Sequence, residues 1–219
     1  MTIAFYETRA RHPLSTATLV LVDVCRGSLP GRQPAPLTTP ETLARCHEAL
    51  LAARRVGVPV VFVHDQPGDA ANLPPGQSRW FAGFEPRRYE SVVARSARSC
   101  YASPYFSEIL DGAGRAMLLA GLLGLEAAGA TAADALRHGH HLTLLSDAVG
   151  FDSATLIRDS HRGADPHARQ GSGARKGRPA LHAVTTGDWL AELTPLLPSP
   201  RAMQWQGVGP VRRLSRIQG

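Results

Sequence analysis

Apolar runs alternate with longer stretches of helical period along this chain. The run ATLVLVDVC (17–25) is apolar until a single charge, Asp23, near its end. Such a run suits a parallel strand buried on both faces. VPVVFVHD (58–65), AMLLAGL (116–122) and HLTLLSDAVG (141–150) read the same way, and ESVVARS (90–96) as a short strand. Between them, TPETLARCHEALLAARRVG (39–57) predicts a helix with apolar positions at Leu43, Cys46, Leu50 and Leu51. Thr39 suits its N-cap, Pro40 its first turn and Gly57 its stop. SPYFSEILDGAG (103–114) predicts a short helix with Ser103 as cap, and residues 125–138 a further helix closing near Gly139. HAVTTGDWLAEL (182–193) predicts a strand, a turn and a last helix.

Strands alternating with helices predict a parallel, doubly wound sheet of five or six strands in a three-layer αβα domain. Sites in such sheets lie at the carboxyl ends of the strands. Asp23 to Cys25, His64-Asp65, Arg95 and the 122–127 loop are those ends here, and Asp147 is expected to end a fifth strand. Three segments lack the pattern. Residues 66–88 read as a loop carrying Trp80, Phe81 and Phe84, which could cover a pocket or belong to the core. Residues 151–180, rich in Gly, Ala and Arg, predict a long flexible loop: a surface insertion, a lid or a partner-binding arm. Residues 198–219 predict an irregular tail that could pack on a neighbouring subunit.

With 219 residues the chain can bury one sizeable core, so a single domain over 1–219 is expected. No apolar run reaches ~18 residues, so no membrane span is expected. The N-terminus lacks the apolar segment of a signal peptide. Cys25, Cys46 and Cys100 have no metal-ligand spacing, which favours free thiols in a reducing, cytoplasmic compartment. The formal charge is +6, from 24 Lys+Arg against 18 Asp+Glu, and Lys176 is the single lysine. The basic residues are dispersed without interleaved aromatics, which argues against a nucleic-acid partner. A small anionic substrate is a better use for a few arginines. The arginine bias is expected to reflect genomic composition as much as function, and would suit a specialised-metabolite biosynthetic pathway.

Five pieces in order carry a resemblance: LVLVDVCRG, RRVGVPVVFVHD, SVVARSARSCYASPYFSEIL, MLLAGLLGLEAAGATAADAL and GHHLTLLSDAVG. Together they resemble the isochorismatase-like cysteine hydrolase superfamily, which includes nicotinamidases, N-carbamoylsarcosine amidohydrolases and isochorismatases. The likeness runs over about 18–148 and returns weakly at 182–193. It implies the αβα fold and a homo-oligomer, a dimer or tetramer. It also implies an Asp-Lys-Cys triad. Asp23 matches the aspartate. The lysine slot, before a Ser-Ala-Phe-like stretch, holds Arg95. The cysteine, six residues after the strand-end glycine Gly121, is replaced by Ala127. A glutamine common two residues after the aspartate is Cys25 here.

A methyl group cannot replace the thiolate that attacks a carbonyl carbon. Isochorismatases resemble this pattern, with glycine in that slot, and their implied reaction is hydrolysis of an enol ether. A buried aspartic acid can deliver the proton for it without a covalent intermediate. Asp23 is therefore the candidate acid/base. Arg95, always charged, suits a substrate carboxylate or a structural ion pair better than a proton shuttle. Glu126, beside the empty slot, is a candidate replacement acid or base, or a charge favoured by a helix N-terminus. The backbone N–H groups around Glu126 to Ala128 could hold an anion at the helix N-terminus, and Leu123, Gly124 and Ala127 are candidate substrate-binding residues. Cys25, His64, Trp80, Phe84 and Tyr101 are the remaining candidate pocket residues. Cofactor and metal are not expected, since the further ligands of a nicotinamidase-like metal site are not visible. The other function class is a catalytically silent relative that binds a ligand or a protein.

Overall fold

A computed structural model describes residues 17–25, 39–65, 78–162 and 180–196. In chain order these form β1 (Thr18–Val22), α1 (Pro40–Val56), β2 (Val60–Asp65), β3 (Ser91–Arg95), a 3-10 turn (Cys100–Ala102), α2 (Pro104–Gly112), β4 (Ala116–Gly121), α3 (Leu125–Arg137), β5 (His141–Val149), α4 (Ser153–Arg162), β6 (Leu181–Val184), α5 (Thr186–Leu193) and a 3-10 turn (Thr194–Leu196). All six strands are parallel, in the order β3-β2-β1-β4-β5-β6.

Strand alternation builds a core on each face of the sheet. Leu19 and Leu21 of β1 turn to the face covered by α1 and α5, with Phe62, Leu118 and Trp189. Val20 and Val22 turn to the face covered by α2, α3 and α4, with Val63, Leu119, Phe106 and Ala128. β1 is buried along its whole length, as its unbroken apolar run predicts.

Local signals set the helix ends. The Thr39 side chain accepts from the Thr42 N–H, Pro40 opens α1, and Gly57 closes it at φ 79°. Thr185 and Asp188 form a reciprocal capping box at α5. The buried stripe of α1 is Thr42, Cys46, Ala49, Leu50 and Ala53. Leu51, expected on it, is 43% exposed, because the small alanines let that side of the helix approach the sheet.

Two expectations are corrected. Residues 153–162 of the predicted loop are α4, whose Leu156 packs into the second core. Asp147 lies within β5 rather than at its end, and its Oδ1 accepts from the N–H and hydroxyl of Thr186, both at 2.8 Å. That carboxylate ties α5 to the sheet. The rest of the predicted loop (163–179) and the tail (198–219) lie outside the described residues.

The strand order reverses beside β1: its sequence neighbour β2 lies on one side and β4 on the other. Ligand crevices of doubly wound sheets open at this point. Gly121 draws the two strand ends together. Its φ is 129°, and a Cβ there would sit 2.0 Å from the Val22 carbonyl oxygen. The next residue, Leu122, donates its N–H to that carbonyl at 2.9 Å. The loop leading into α3 is thereby held next to Asp23.

Candidate active site

β1 ends at Val22, and Asp23 follows in the left-handed region at φ 57°. A non-glycine residue there is strained, and such strain gathers at functional sites. The turn also breaks strand alternation, so Asp23 and Cys25 do not share a side by strand geometry. The Asp23 side chain is 3% exposed, and its Oδ2 accepts from a terminal nitrogen of Arg95 at 2.5 Å.

Arg95 is the last residue of β3 and its side chain is 1% exposed. Its three nitrogens each meet a protein oxygen. One terminal nitrogen donates to Asp23, the other to the Arg98 carbonyl at 2.8 Å, and Nε donates to Asp65 Oδ1 at 2.7 Å. Burial works against the charged guanidinium, but Asp23 and then Asp65 hold its pKa above the ordinary arginine value. Arg95 is thus a clamp between two carboxylates on the ends of β1 and β2. Its fork is turned to the protein rather than presented to a substrate carboxylate.

Asp65 is absent from the candidates chosen from sequence. It sits at a strand end, directly beside Arg95 in the β2–β3 register. The strand-end rule marks it, but the pairing partner comes only with the register. Its side chain is 26% exposed, against 3% for Asp23. Next to it, His64 Nδ1 donates to the Asp65 carbonyl at 2.6 Å, since a carbonyl can only accept. The His64 ring meets Trp80 edge-on at 5.9 Å, and Trp80 bridges to Cys25 as a short antiparallel pair. Asp23, Cys25, His64, Trp80 and Arg95 therefore gather around one set of strand ends.

α3 starts one turn away, with Gly124 as N-cap and no side-chain cap. Ala127 and Leu123 are buried against the second core. Glu126 points outward: its side chain is 76% exposed and pairs with Arg98 at 2.8 Å. Below this turn, Cys100 donates its N–H to Thr131 Oγ1 at 3.1 Å. Burial pushes the Cys100 thiol from its ordinary 9.0 up to about 11, against the pull of Arg95. Cys46 is likewise pushed up, to about 12, and donates its thiol to the Ala148 carbonyl. Neither is a thiolate at neutral pH.

Two candidates lie elsewhere. Phe84 is in the first core, 5.3 Å from the His47 ring of α1. Tyr101 stacks on His138 at 4.8 Å, and its hydroxyl meets His140 Nδ1 at 2.6 Å. After Arg98 the chain packs along α3, with the Cys100 N–H on Thr131, and this carries the Tyr101 ring to His138 at the helix's C-terminal end. A cavity of about 580 Å³ lies along the outer edge of β3, lined by Ser91, Val93, Ser103, Tyr105 and Ile109, and none of the strand-end residues above reaches it. Among the described residues, no group of three His, Cys, Asp or Glu is placed to hold a metal ion. No described helix is long and apolar enough to cross a membrane.

A family profile described as "Isochorismatase domain" matches residues 17–170. No curated protein matches the chain. Among solved structures, an isochorismatase from Pseudomonas putida aligns with a TM-score of 0.61 at 20% identity, covering 83% of this chain and 93% of its own. A cysteine hydrolase from Pseudomonas syringae aligns at 0.61 and 11% identity, covering 88% and 100%. An N-carbamoylsarcosine amidase from Thermoplasma acidophilum aligns at 0.52 and 21% identity, covering 78% and 96%. At these identities the likeness is one of fold.

Proposed function

The chain belongs to the isochorismatase family of hydrolases, and we propose that it hydrolyses a small metabolite by proton transfer at Asp23, without a covalent thiol step. The observation that carries this reading is the pairing of a vacant nucleophile slot with an intact acid site. Ala127 stands at the N-terminus of α3, while Asp23 is held in a strained turn against Arg95. The three cysteines support the same reading: all are buried, and Cys100 and Cys46 are neutral thiols.

An enol ether is the substrate class that this acid suits. Protonation of its vinyl carbon leaves an oxocarbenium centre that water can attack, and no nucleophilic side chain is needed. Arg95 holds Asp23 in place. An anionic group on the substrate would meet the N–H groups of the first turn of α3, beyond Gly124, and the exposed Arg98. Cys25, His64 and Trp80 would wall the substrate. Free, buried cysteines favour a reducing, cytoplasmic setting. The family resemblance favours a homo-oligomer and a biosynthetic role.

One observation favours a second reading, a silent ligand-binding relative: every nitrogen of Arg95 is engaged by the protein. Turnover separates the two. Wild-type protein and Asp23→Asn are compared on an aryl enolpyruvyl ether and on nicotinamide. Hydrolysis of the enol ether is expected, falling about 10²–10⁴-fold in the variant, with the amide untouched. Equal turnover in both proteins, or amide hydrolysis blocked by iodoacetamide, would overturn the acid assignment. No turnover of either compound would favour the silent relative.

A further inference from the structure

We infer that Asp65 is a second catalytic carboxylate of this site, the group that takes the proton from the attacking water. The inference rests on the hydrolytic reading above and adds a residue to it. Three observations carry it. Asp65 and Asp23 end adjacent parallel strands and bind two nitrogens of one planar guanidinium. A rigid fork of that kind fixes both carboxylates relative to each other. The two environments differ, since the Asp23 side chain is 3% exposed and that of Asp65 is 26% exposed. Paired carboxylates in unlike surroundings divide acid and base roles. Finally, the Asp65 backbone carbonyl fixes the His64 ring, which stands edge-on to Trp80, so an aromatic pair adjoins this strand end.

The proton count closes over one turnover. Asp23, which must first take up a proton against the pull of Arg95, gives that proton to the vinyl carbon. Water adds to the oxocarbenium carbon and loses a proton to Asp65. The hemiketal then breaks its carbon–oxygen bond: Asp65 returns that proton to the departing oxygen, and Asp23 regains one from the hemiketal hydroxyl. A ketone and an alcohol leave, one water is consumed, and nothing is oxidised or reduced.

The alternative is that Asp65 only holds Arg95. Asp65→Asn separates the two, because the amide oxygen can still accept from Arg95 Nε but the amide is no base. With the aryl enolpyruvyl ether as substrate, kcat is expected to fall about 10²–10⁴-fold while KM changes little. The limb of the pH–rate profile that rises with deprotonation of the base is expected to vanish, and Asp65→Glu to restore part of kcat. Unchanged thermal unfolding of Asp65→Asn would show that the clamp survives. If Asp65→Asn keeps kcat within about threefold of wild type while Asp23→Asn does not, Asp65 is a positioning residue and the inference fails alone. If the wild type is inactive, or Asp23→Asn is as active as wild type, the hydrolytic reading fails and takes the inference with it.

Discussion

Two polar clusters flank α3, and they are built from similar parts. At its N-terminal end, the carboxylates of Asp23 and Asp65 share the guanidinium of Arg95. At its C-terminal end, the Tyr101 hydroxyl meets His140 Nδ1, and His140 Nε2 meets Asp111 Oδ1 at 3.3 Å, with Arg115 on the same oxygen at 2.9 Å. Each cluster buries a titratable residue at its centre: Arg95 is 2% exposed and His140 fully buried. A Tyr–His–Asp chain looks as chemical as an Asp–Arg–Asp one. Position separates them. The first stands at the carboxyl ends of β1, β2 and β3, where the strand order reverses and backbone strain appears at Asp23. The second stands at the other ends of the strands, where α2 and α3 end and β4 and β5 begin; Arg115 there also has a positive φ, 64°, so place in the sheet rather than strain separates the two. Buried polar groups there need only be satisfied.

The comparison breaks most visibly at Arg95. Arg95→Leu removes the cation that bridges two strand-end carboxylates, one of them almost wholly buried. Removing one partner of a buried pair costs about 3–5 kcal/mol, because the other charge is left uncompensated. Urea unfolding should show a loss of that order, with activity abolished as well. A loss below about 1 kcal/mol would mean that the carboxylates find other partners, and the clamp would lose its meaning.

At the other end of α3 the expected effect is smaller and purely structural. Tyr101→Phe keeps the ring against Phe106 and His138 and deletes one hydroxyl. His140 then loses its 2.6 Å partner, at a cost of about 1 kcal/mol by urea unfolding. The rate on any substrate should not change. A fall in kcat with KM unaltered would give the second cluster a catalytic part and erase the contrast between the two ends.

These clusters also show what the residue pattern could and could not reveal. The apolar runs announced five strands with their ends nearly in place, and Thr39, Pro40 and Gly57 announced α1, because burial on two faces and helix capping are local in sequence. Asp23 and Arg95 were legible for the same reason, as charges closing apolar runs. Asp65 shares that signal, yet its importance depends on the β2–β3 register, which no local pattern carries. Tyr101 shows the converse. It follows Arg95 closely in sequence, but the chain descends past Thr131 and delivers its ring to the far end of α3. Residues 153–162 misled through composition: polar and charged residues suggested a loop, whereas Leu156 anchors that stretch in the core.

Glu126 gives the finest test of the comparison, because it adjoins the vacant slot and still belongs to neither cluster. Its carboxylate is at the surface, paired with Arg98, which is exposed as well. Exposed pairs of this kind contribute little, since water screens the charges and two long side chains must be ordered to meet. A Glu126→Gln variant should therefore unfold at the wild-type urea concentration and hydrolyse the enol ether at the wild-type rate. Arg98 would keep its carbonyl bond to Arg95, so the clamp would not be disturbed. A large fall in kcat would require Glu126 to turn inward when substrate binds and to act as the acid beside Ala127. The chemistry would then move from the strand ends to the first turn of α3, and the two carboxylates on Arg95 would be scaffolding like the cluster at the helix's other end.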